Sequence, residues 1–343
     1  MKLSRHTKCQ NSCVRLDELP EPPRGKTSWP WTEESSRLPS RGPKGDSWPR
    51  LSVITPSFNQ GQFIEETIRS ILLQGYPNLE YFIMDGGSTD GSVEIIEKYS
   101  PWLSYWVSQT DRGQSDAINR GLTLASGDFA TWINSDDLLS KNALVQHASC
   151  IGFAPDTVYV GNCIYIDETG KVLSMHRSIV QSLEDLVRVN KVWNGARGHI
   201  VQPEVLFPRE LYLTVGGLDC NNHFTMDYDL WGKFFLAGAT FRYTGIPFGV
   251  FREHAKQKTH NMLRQTRSLV ETAAKLVHQA QSFPEKTKNE ILEDLRVYLK
   301  KYEMDYWKGS GRLAKLGLPR SLVLQLRRLR GLAQSTFGKI GLL

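Results

Sequence analysis

"WINSDDLL", Trp132–Leu139, sends an apolar run into two adjacent aspartates and returns at once to leucine. An apolar stretch that ends in carboxylates reads as a buried strand with two acids on its C-terminal tip. Such tips are where open α/β sheets keep their ligands. The alternative is local: Asp136 caps a helix starting near Ser140 by accepting free backbone N–H groups. The neighbouring stretches decide between the two.

Working outward, "LSVITPSFN" (Leu51–Asn59) is a β-branched run expected to stop at Pro56. "FIEETIRSILLQGY" sets Phe63, Ile64, Ile68, Ile71 and Leu72 at helical spacing, with Gly75 and Pro77 ending the helix. "LEYFIMDGGSTDGS" is a second strand that dissolves into Gly, Ser and Asp; "SVEIIEKY" is a short helix and "LSYWVSQ" a third strand. "GQSDAINRGLTLAS" reads as a helix with Ala117, Ile118, Gly121, Leu122 and Ala125 on one face, and "GDFATWINSDD" as the next strand. Strands alternating with helices over short links predict an α/β fold, a mostly parallel sheet with helices on both faces. Beyond Ala143 the pattern weakens. It gives a helix near Asn142–Gly152, strands near "TVYVGNCIYID", a helix over Tyr228–Ala237, and mainly helix from Gln257 to Tyr306.

The expected organisation is an extended arm rich in Pro and Trp over residues 1–50, a domain over 51–255, and a helical region over 256–343. The domain divides into halves at 51–140 and 141–255. Trp29, Trp31 and Trp48 are too many for a free linker, so the arm is expected to pack on the domain. The net charge is +6, but eight Lys or Arg and no acid follow Asp305, leaving the remainder near −2. The basic balance therefore belongs to the tail and is no sign of a nucleic-acid-binding face. In that tail Leu322, Leu326, Leu329 and Ala333 alternate with Arg320, Arg327, Arg328 and Arg330 at helical spacing. This suits either an interfacial helix on an anionic inner leaflet or a packed amphipathic helix. Five irregularly spaced cysteines, with Cys9 and Cys13 lacking a second ligand pair, support neither a disulfide framework nor a zinc site. Without an apolar signal core, or a run near the ~18–20 residues of a membrane span, the expected location is cytoplasmic.

Three strand ends, "TPSFN", "MDGGSTDGS" and "NSDD", carry polar groups, and a parallel sheet brings such ends to one edge. "DGGSTDG" is not the dinucleotide fingerprint GxGxxG. Taken in order with "DRGQSDAINRG", these motifs resemble the family 2 glycosyltransferases with the GT-A fold, over about Leu51–His254. The resemblance implies a nucleotide-diphosphate sugar as donor, a UDP-sugar by analogy. Pro56, Phe58 and Asp85 would hold base and ribose, Asp116 would line the same pocket, and Asp136 would approach ribose and sugar. It makes Asp137 the ligand of a divalent metal, Mg²⁺ or Mn²⁺, with His254 of "FREHAKQKTH" facing metal or diphosphate. Gln257 there stands where Ser is common, and Arg252 and Lys258 flank the histidine.

In "HFTMDYDLW" the family usually reads Glu-Asp, the Asp being the base. Here Met226 replaces the Glu and Asp227 keeps the base position, while Asp229 is expected as an early-helix acid favoured by the helix dipole. "GQS" (Gly113–Ser115) and Arg112 are expected in a loop near the donor, and His199, Gln202 and Glu204 on the acceptor side. The implied activity is inverting, metal-dependent transfer of one sugar to the hydroxyl of a saccharide or lipid-linked saccharide, in bacterial surface-polysaccharide or lipopolysaccharide assembly. Two rivals are a nucleotidyltransferase, which would carry a Gly-rich basic loop where "TPSFNQGQF" stands, and a non-catalytic module of the same fold.

Overall fold

Leu51–Ser57 is buried at every position, as befits a strand covered on both faces. In the computed structural model, residues 2–5, 13–193, 198–255, 257 and 262–314 are described. The first half contains β1 (Lys2–Arg5), β2 (Leu51–Ser57), α1 (Ile64–Leu72), β3 (Leu79–Asp85), α2 (Ser92–Tyr99), β4 (Tyr105–Ser108), α3 (Gln114–Leu124) and β5 (Phe129–Trp132). The second contains β6 (Leu138–Leu139), α4 (Ala143–Cys150), β7 (Thr157–Asp167), β8 (Val172–Arg177), α5 (Leu183–Val187) and α6 (Val189–Trp193). It continues with β9 (Val205–Pro208), α7 (Arg209–Thr214), α8 (Met226–Leu236), β10 (Thr240–Glu253), α9 (Met262–Gln279) and α10 (Glu285–Ala314).

One sheet runs β1-β4-β3-β2-β5-β9-β7-β10-β6, with β8 attached to β7. β2 is parallel to β3 and β5, and β3 to β4. β7 and β10 form a second parallel pair. β9 lies antiparallel to β5 and to β7, joining the two sets. The parallel strands and their helices follow the sequence expectation, and the tips of β2, β3 and β5 share one edge.

Pro56 does not stop its strand. The Ile54 carbonyl accepts from Ile133 N–H (2.9 Å) on the β5 side, and the Ser57 carbonyl accepts from Gly86 N–H (2.8 Å) on the β3 side. Alternation turns the Pro56 nitrogen toward β5, which has already ended at Trp132, so no ladder bond is lost. Helix α8 begins at Met226, which puts Asp227 in its first turn rather than before it.

The arm carries more structure than the extended reading gave it. β1 pairs antiparallel with β4 at the sheet edge. Leu19, Trp31 and Trp48 are buried, and Trp29 Nε1 donates to the Leu139 carbonyl (3.0 Å). Arg69, fully buried in α1, donates to the carbonyls of Pro20 (2.8 Å), Pro30 (3.1 Å) and Trp31 (3.0 Å) and to Tyr99 Oη (3.0 Å). The arm passes so close to Gly75, at φ +66°, that a Cβ there would stand 2.1 Å from the Ser36 carbonyl oxygen.

Residues 1–295 form one compact unit and 296–343 another. In the latter the Tyr298 and Tyr302 rings lie 6.4 Å apart along α10. Cys9, Lys258 and the basic amphipathic tail beyond Ala314 lie outside the described residues. Among the described residues no helix is long and apolar enough to cross a membrane.

Candidate functional site

The tips of β2 and β3 and the start of α3 form the first part of the site. Phe58, just past β2, is 62% exposed. A Cβ on Gly86 would lie 3.3 Å from the Phe58 ring and 3.0 Å from Asp111 Oδ2, so ring, glycine and carboxylate converge. Asp85 is buried and faces its own loop: Oδ2 accepts from Gly87 N–H (3.0 Å), Ser88 N–H (2.9 Å) and Ser108 Oγ (2.7 Å), and Oδ1 accepts from Ser88 Oγ (2.5 Å). It therefore fixes the Gly86–Ser88 turn with most of its accepting capacity. Pro56 is buried in β2 one step below.

Asp116 pairs with Arg112 at 2.6 Å, which holds its carboxyl below the usual range. Asp111 is pushed up, first by burial and then by the Asp116 and Asp85 carboxylates nearby. Sequence reading missed Asp111. The available signal was its place at the head of "DRGQSDAINRG", on the loop that α3 continues.

The second part is the Asn134–Asp137 turn, and here the two aspartates differ. Asp137 is 1% exposed. Its Oδ1 accepts from the Arg252 backbone N–H (3.0 Å) and its Oδ2 from Asn134 Nδ2 (3.0 Å). Burial, with the neighbouring Asp136 charge second, raises its pKa well above the usual range. A carboxylate so enclosed braces the turn. Both of its oxygens, the group expected to meet a metal, are hydrogen-bonded within the protein. Asp136 is the less enclosed of the two, with its side chain 16% exposed: Oδ2 lies 2.9 Å from the buried His254 Nε2, and the imidazole packs on Phe63 at 4.9 Å. Arg252 backs the pair, with its guanidinium 3.0 Å from both Glu66 and the Asp136 carbonyl. Thr67 Oγ1 donates to the carbonyls of Ser135 (3.0 Å) and Asp137 (2.8 Å), tying α1 to the turn.

Asp136 and His254 offer a hard oxygen and an imidazole nitrogen, a donor set that fits a divalent cation. Among the described residues no three His, Cys, Asp or Glu side chains are grouped to hold a metal. Other ligands of a cation here would come from substrate oxygens and water.

The acceptor half closes the site from α8 and the segment before β9. Asp227 is half-buried, accepts from Tyr228 N–H (2.8 Å), and has its carboxyl pushed up by burial. Next to it, Met226 Sδ accepts from Ser115 Oγ (2.8 Å), so the start of α8 meets the start of α3. Asp229 is fully buried between Lys233 (2.8 Å) and Lys275 (3.2 Å), an ion-paired core acid rather than a group facing substrate.

Asn134 links the halves: its Oδ1 accepts from Gln114 Nε2 (2.6 Å) and its Nδ2 lies 3.3 Å from Gln202 Oε1. Gln202 in turn donates to the Trp132 carbonyl (2.6 Å). It is a strut, where an acceptor contact was expected. Glu204 is likewise no surface contact. It is buried, accepts from Ser178 Oγ (2.5 Å) and Val201 N–H (2.9 Å), and burial raises it to about 8. His199 is half-buried, stacks on Trp193 at 4.2 Å, and is held neutral, its pKa lowered by burial to about 3.

A cavity of about 750 Å³ lies elsewhere, at the starts of β7 and β10, lined by Thr157, Tyr159, Phe235, Phe241 and Arg242 among others. It contains none of the acids described above.

Residues 52–215 match the profile described as Glycosyl transferase family 2. An uncharacterized glycosyltransferase of Rickettsia prowazekii is 24% identical over 259 residues, covering 74% of this chain and 80% of its own. Glycosyltransferase GlyG of Streptococcus pneumoniae is 30% identical over 122 residues, which span 35% of this chain and 40% of GlyG. Two solved structures share the fold. Staphylococcus aureus TarS 1–349, in complex with UDP-GlcNAc, superposes with a TM-score of 0.54 at 18% identity over 72% of this chain and 71% of its own. The mannosyltransferase PcManGT of Pyrobaculum calidifontis, in complex with GDP-Man and Mn²⁺, gives 0.52 at 22% identity over 83% and 81%. The match over residues 52–215, on a fold shared with these structures, identifies a family 2 glycosyltransferase domain of GT-A plan within this chain.

Proposed function

We propose that this glycosyltransferase moves one sugar from a nucleotide-diphosphate sugar to a hydroxyl acceptor by a single, inverting displacement that uses a divalent metal. The observation that carries the reading is the Asp136–His254 pair at 2.9 Å, on a turn whose other acid is locked inward. Neighbours of the same fold bind UDP-GlcNAc or GDP-Man with Mn²⁺, in support of a nucleotide-sugar donor and a metal. Phe58, Gly86 and Asp111 receive the base and ribose, with Pro56, Asp85 and Asp116 shaping that pocket from behind. Asp136 and His254 would hold Mg²⁺ or Mn²⁺, with Asp137 as their brace. When bound, the cation neutralises the charge that gathers on the departing diphosphate.

Asp227 takes the proton. The acceptor O–H gives its hydrogen to the carboxylate, and the oxygen forms a bond to the anomeric carbon. On the opposite face the bond from that carbon to the diphosphate oxygen breaks, and the nucleoside diphosphate leaves with the electron pair. A single backside displacement inverts the anomeric centre. Burial that lifts the Asp227 pKa makes it a stronger base once ionised. The acceptor we infer is a saccharide or lipid-linked saccharide of surface-polysaccharide assembly, met on the cytoplasmic face of the membrane.

The test is a thermal-shift screen of UDP-, GDP- and dTDP-sugars with and without Mn²⁺. One donor should stabilise the protein in a metal-dependent way. Asp136→Ala should lose that dependence, and Asp227→Asn should keep it while losing at least about 100-fold in turnover. Full Mn²⁺-dependent stabilisation of Asp136→Ala would overturn the metal assignment, and near-normal turnover of Asp227→Asn the base.

A further inference from the structure

Four large apolar side chains are exposed within eight residues of β8 and the loop after it: Val172 (63%), Leu173 (49%), Met175 (48%) and Ile179 (60%). The other large apolar side chains exposed among the described residues are spread singly along the chain. Isolated ones need no explanation, but a contiguous strip does. Among the described strands β8 pairs only with β7, so its second edge is open.

Register ties the strip to the site. Met175 lies opposite Ile164 and Val172 opposite Ile166, and opposed residues of an antiparallel pair share a face. Ile164 and Ile166 pack with Leu138 and Val250, and Leu138 directly follows Asp137. One apolar seam thus runs from beneath the Asp136–Asp137 turn out to solvent. The hairpin turn touches the same rim, since the Glu168 carbonyl accepts from Arg252 Nη1 (3.5 Å).

Charge narrows the choice of what covers this strip. Lys171 and Arg177 are both exposed at its two ends. Asp167, whose charge meets that of Lys171, shapes the turn between them: its Oδ1 accepts from Thr169 N–H (2.9 Å), Thr169 Oγ1 (2.6 Å) and Lys171 N–H (3.0 Å). Arg177 has no carboxylate partner among the described residues. A second copy paired edge to edge and centred on Ser174 would set Lys171 of one chain opposite Arg177 of the other, a repulsive match. A bilayer removes that conflict. Apolar side chains enter the boundary of the acyl region while long basic ones reach to headgroup phosphates.

We propose that β8 and the loop through Ile179 form a membrane-docking strip, with a lipid bilayer as occupant and Lys171 and Arg177 at the headgroups. It holds the rim around Asp136 and His254 at the lipid surface, where a lipid-linked acceptor presents its sugar. The strip is separate in sequence from the basic tail and does not depend on the metal or base assignments.

The test is co-sedimentation of the full chain with vesicles of phosphatidylcholine alone and of phosphatidylcholine with phosphatidylglycerol. The wild type should partition onto vesicles, and Leu173→Glu/Met175→Glu should lower the partition coefficient by at least about tenfold. Arg177→Gln should lower it severalfold on phosphatidylglycerol vesicles and little on phosphatidylcholine. Thermal unfolding and the nucleotide-sugar shift should stay those of the wild type in each variant. If the glutamates disturb folding, Leu173→Thr/Met175→Thr suits a strand and reads the same loss. Absence of wild-type binding, or equal binding by the double variant, would overturn the proposal. So would a double variant whose only change, by light scattering, is from dimer to monomer, since the strip would then be an interface between copies.

Discussion

Glu204→Gln should make the stability of the protein less dependent on pH, and the size of the effect follows from one buried carboxyl. In the unfolded chain Glu204 ionises near its usual 4.5, whereas burial in the fold keeps the proton on until about pH 8. Below pH 4.5 both states are protonated and nothing is lost. Between the two values only the unfolded chain has released its proton, so folding stability falls as pH rises. The loss is complete above about pH 8. The slope is about 1.4 kcal/mol per pH unit, with a ceiling of roughly 5 kcal/mol over the whole window. A glutamine keeps an oxygen to accept from Ser178 and Val201. Its NH₂ would take the place of Oε2, which has no hydrogen-bond partner, at a pH-independent cost of about 1–3 kcal/mol. Urea unfolding of both proteins between pH 5 and 8.5 should therefore give crossing curves, the wild type more stable at the acid end and the variant at the alkaline end. Curves that stay parallel, or a wild type that gains on the variant with rising pH, would refute the assignment of Glu204 as a neutral buried acid.

Asp137→Ala removes the acceptor for Arg252 N–H and Asn134 Nδ2 and should cost about 2–4 kcal/mol in chemical denaturation; a midpoint equal to that of Asp136→Ala would contradict its role as a brace. Arg69→Ala strands three carbonyls and a hydroxyl and should cost about 3–5 kcal/mol, with new limited-proteolysis cuts inside residues 13–50. Survival of that segment at wild-type rates would count against the clamp. Gly121→Ala puts a Cβ at 2.6 Å from Ile54 Cγ2 between α3 and β2, so a loss of about 1–3 kcal/mol is expected, read as a lower urea midpoint.

The strand tips were legible because burial and alternation write themselves into residues 51–137: apolar runs that end in Gly, Ser and Asp can be read without coordinates. The different surroundings of Asp136 and Asp137 were not. Neighbouring residues in a turn point different ways, and what fixes Asp137 is the backbone of Arg252, 115 positions away. Separation along the chain also hid Gln202 and Glu204, whose sequence neighbourhood suggests an acceptor wall while their side chains turn to Trp132, 70 positions away, and Ser178, 26 positions away. Asp111 was overlooked because it stands on a loop rather than a strand tip. The proline at 56 misled for a local reason: whether a missing N–H matters depends on which side its neighbour strand has ended. For β1, four residues offer no periodicity to read, and only the open edge of β4 gives them a partner.

Segment 52–215 is the part recognisable by kinship, yet the domain does not end where kinship does. Leu19 and Trp48 sit inside the same apolar cluster as Ile68 and Tyr81, and Gly75 leaves room for the passing backbone of Ser36 in the arm. A chain begun at residue 52 and otherwise complete would leave the Arg69 guanidinium without its carbonyl partners and a cluster of aromatic and aliphatic side chains open to water. Such a piece should precipitate rather than catalyse, and adding residues 13–50 back as a separate peptide should return it to solution.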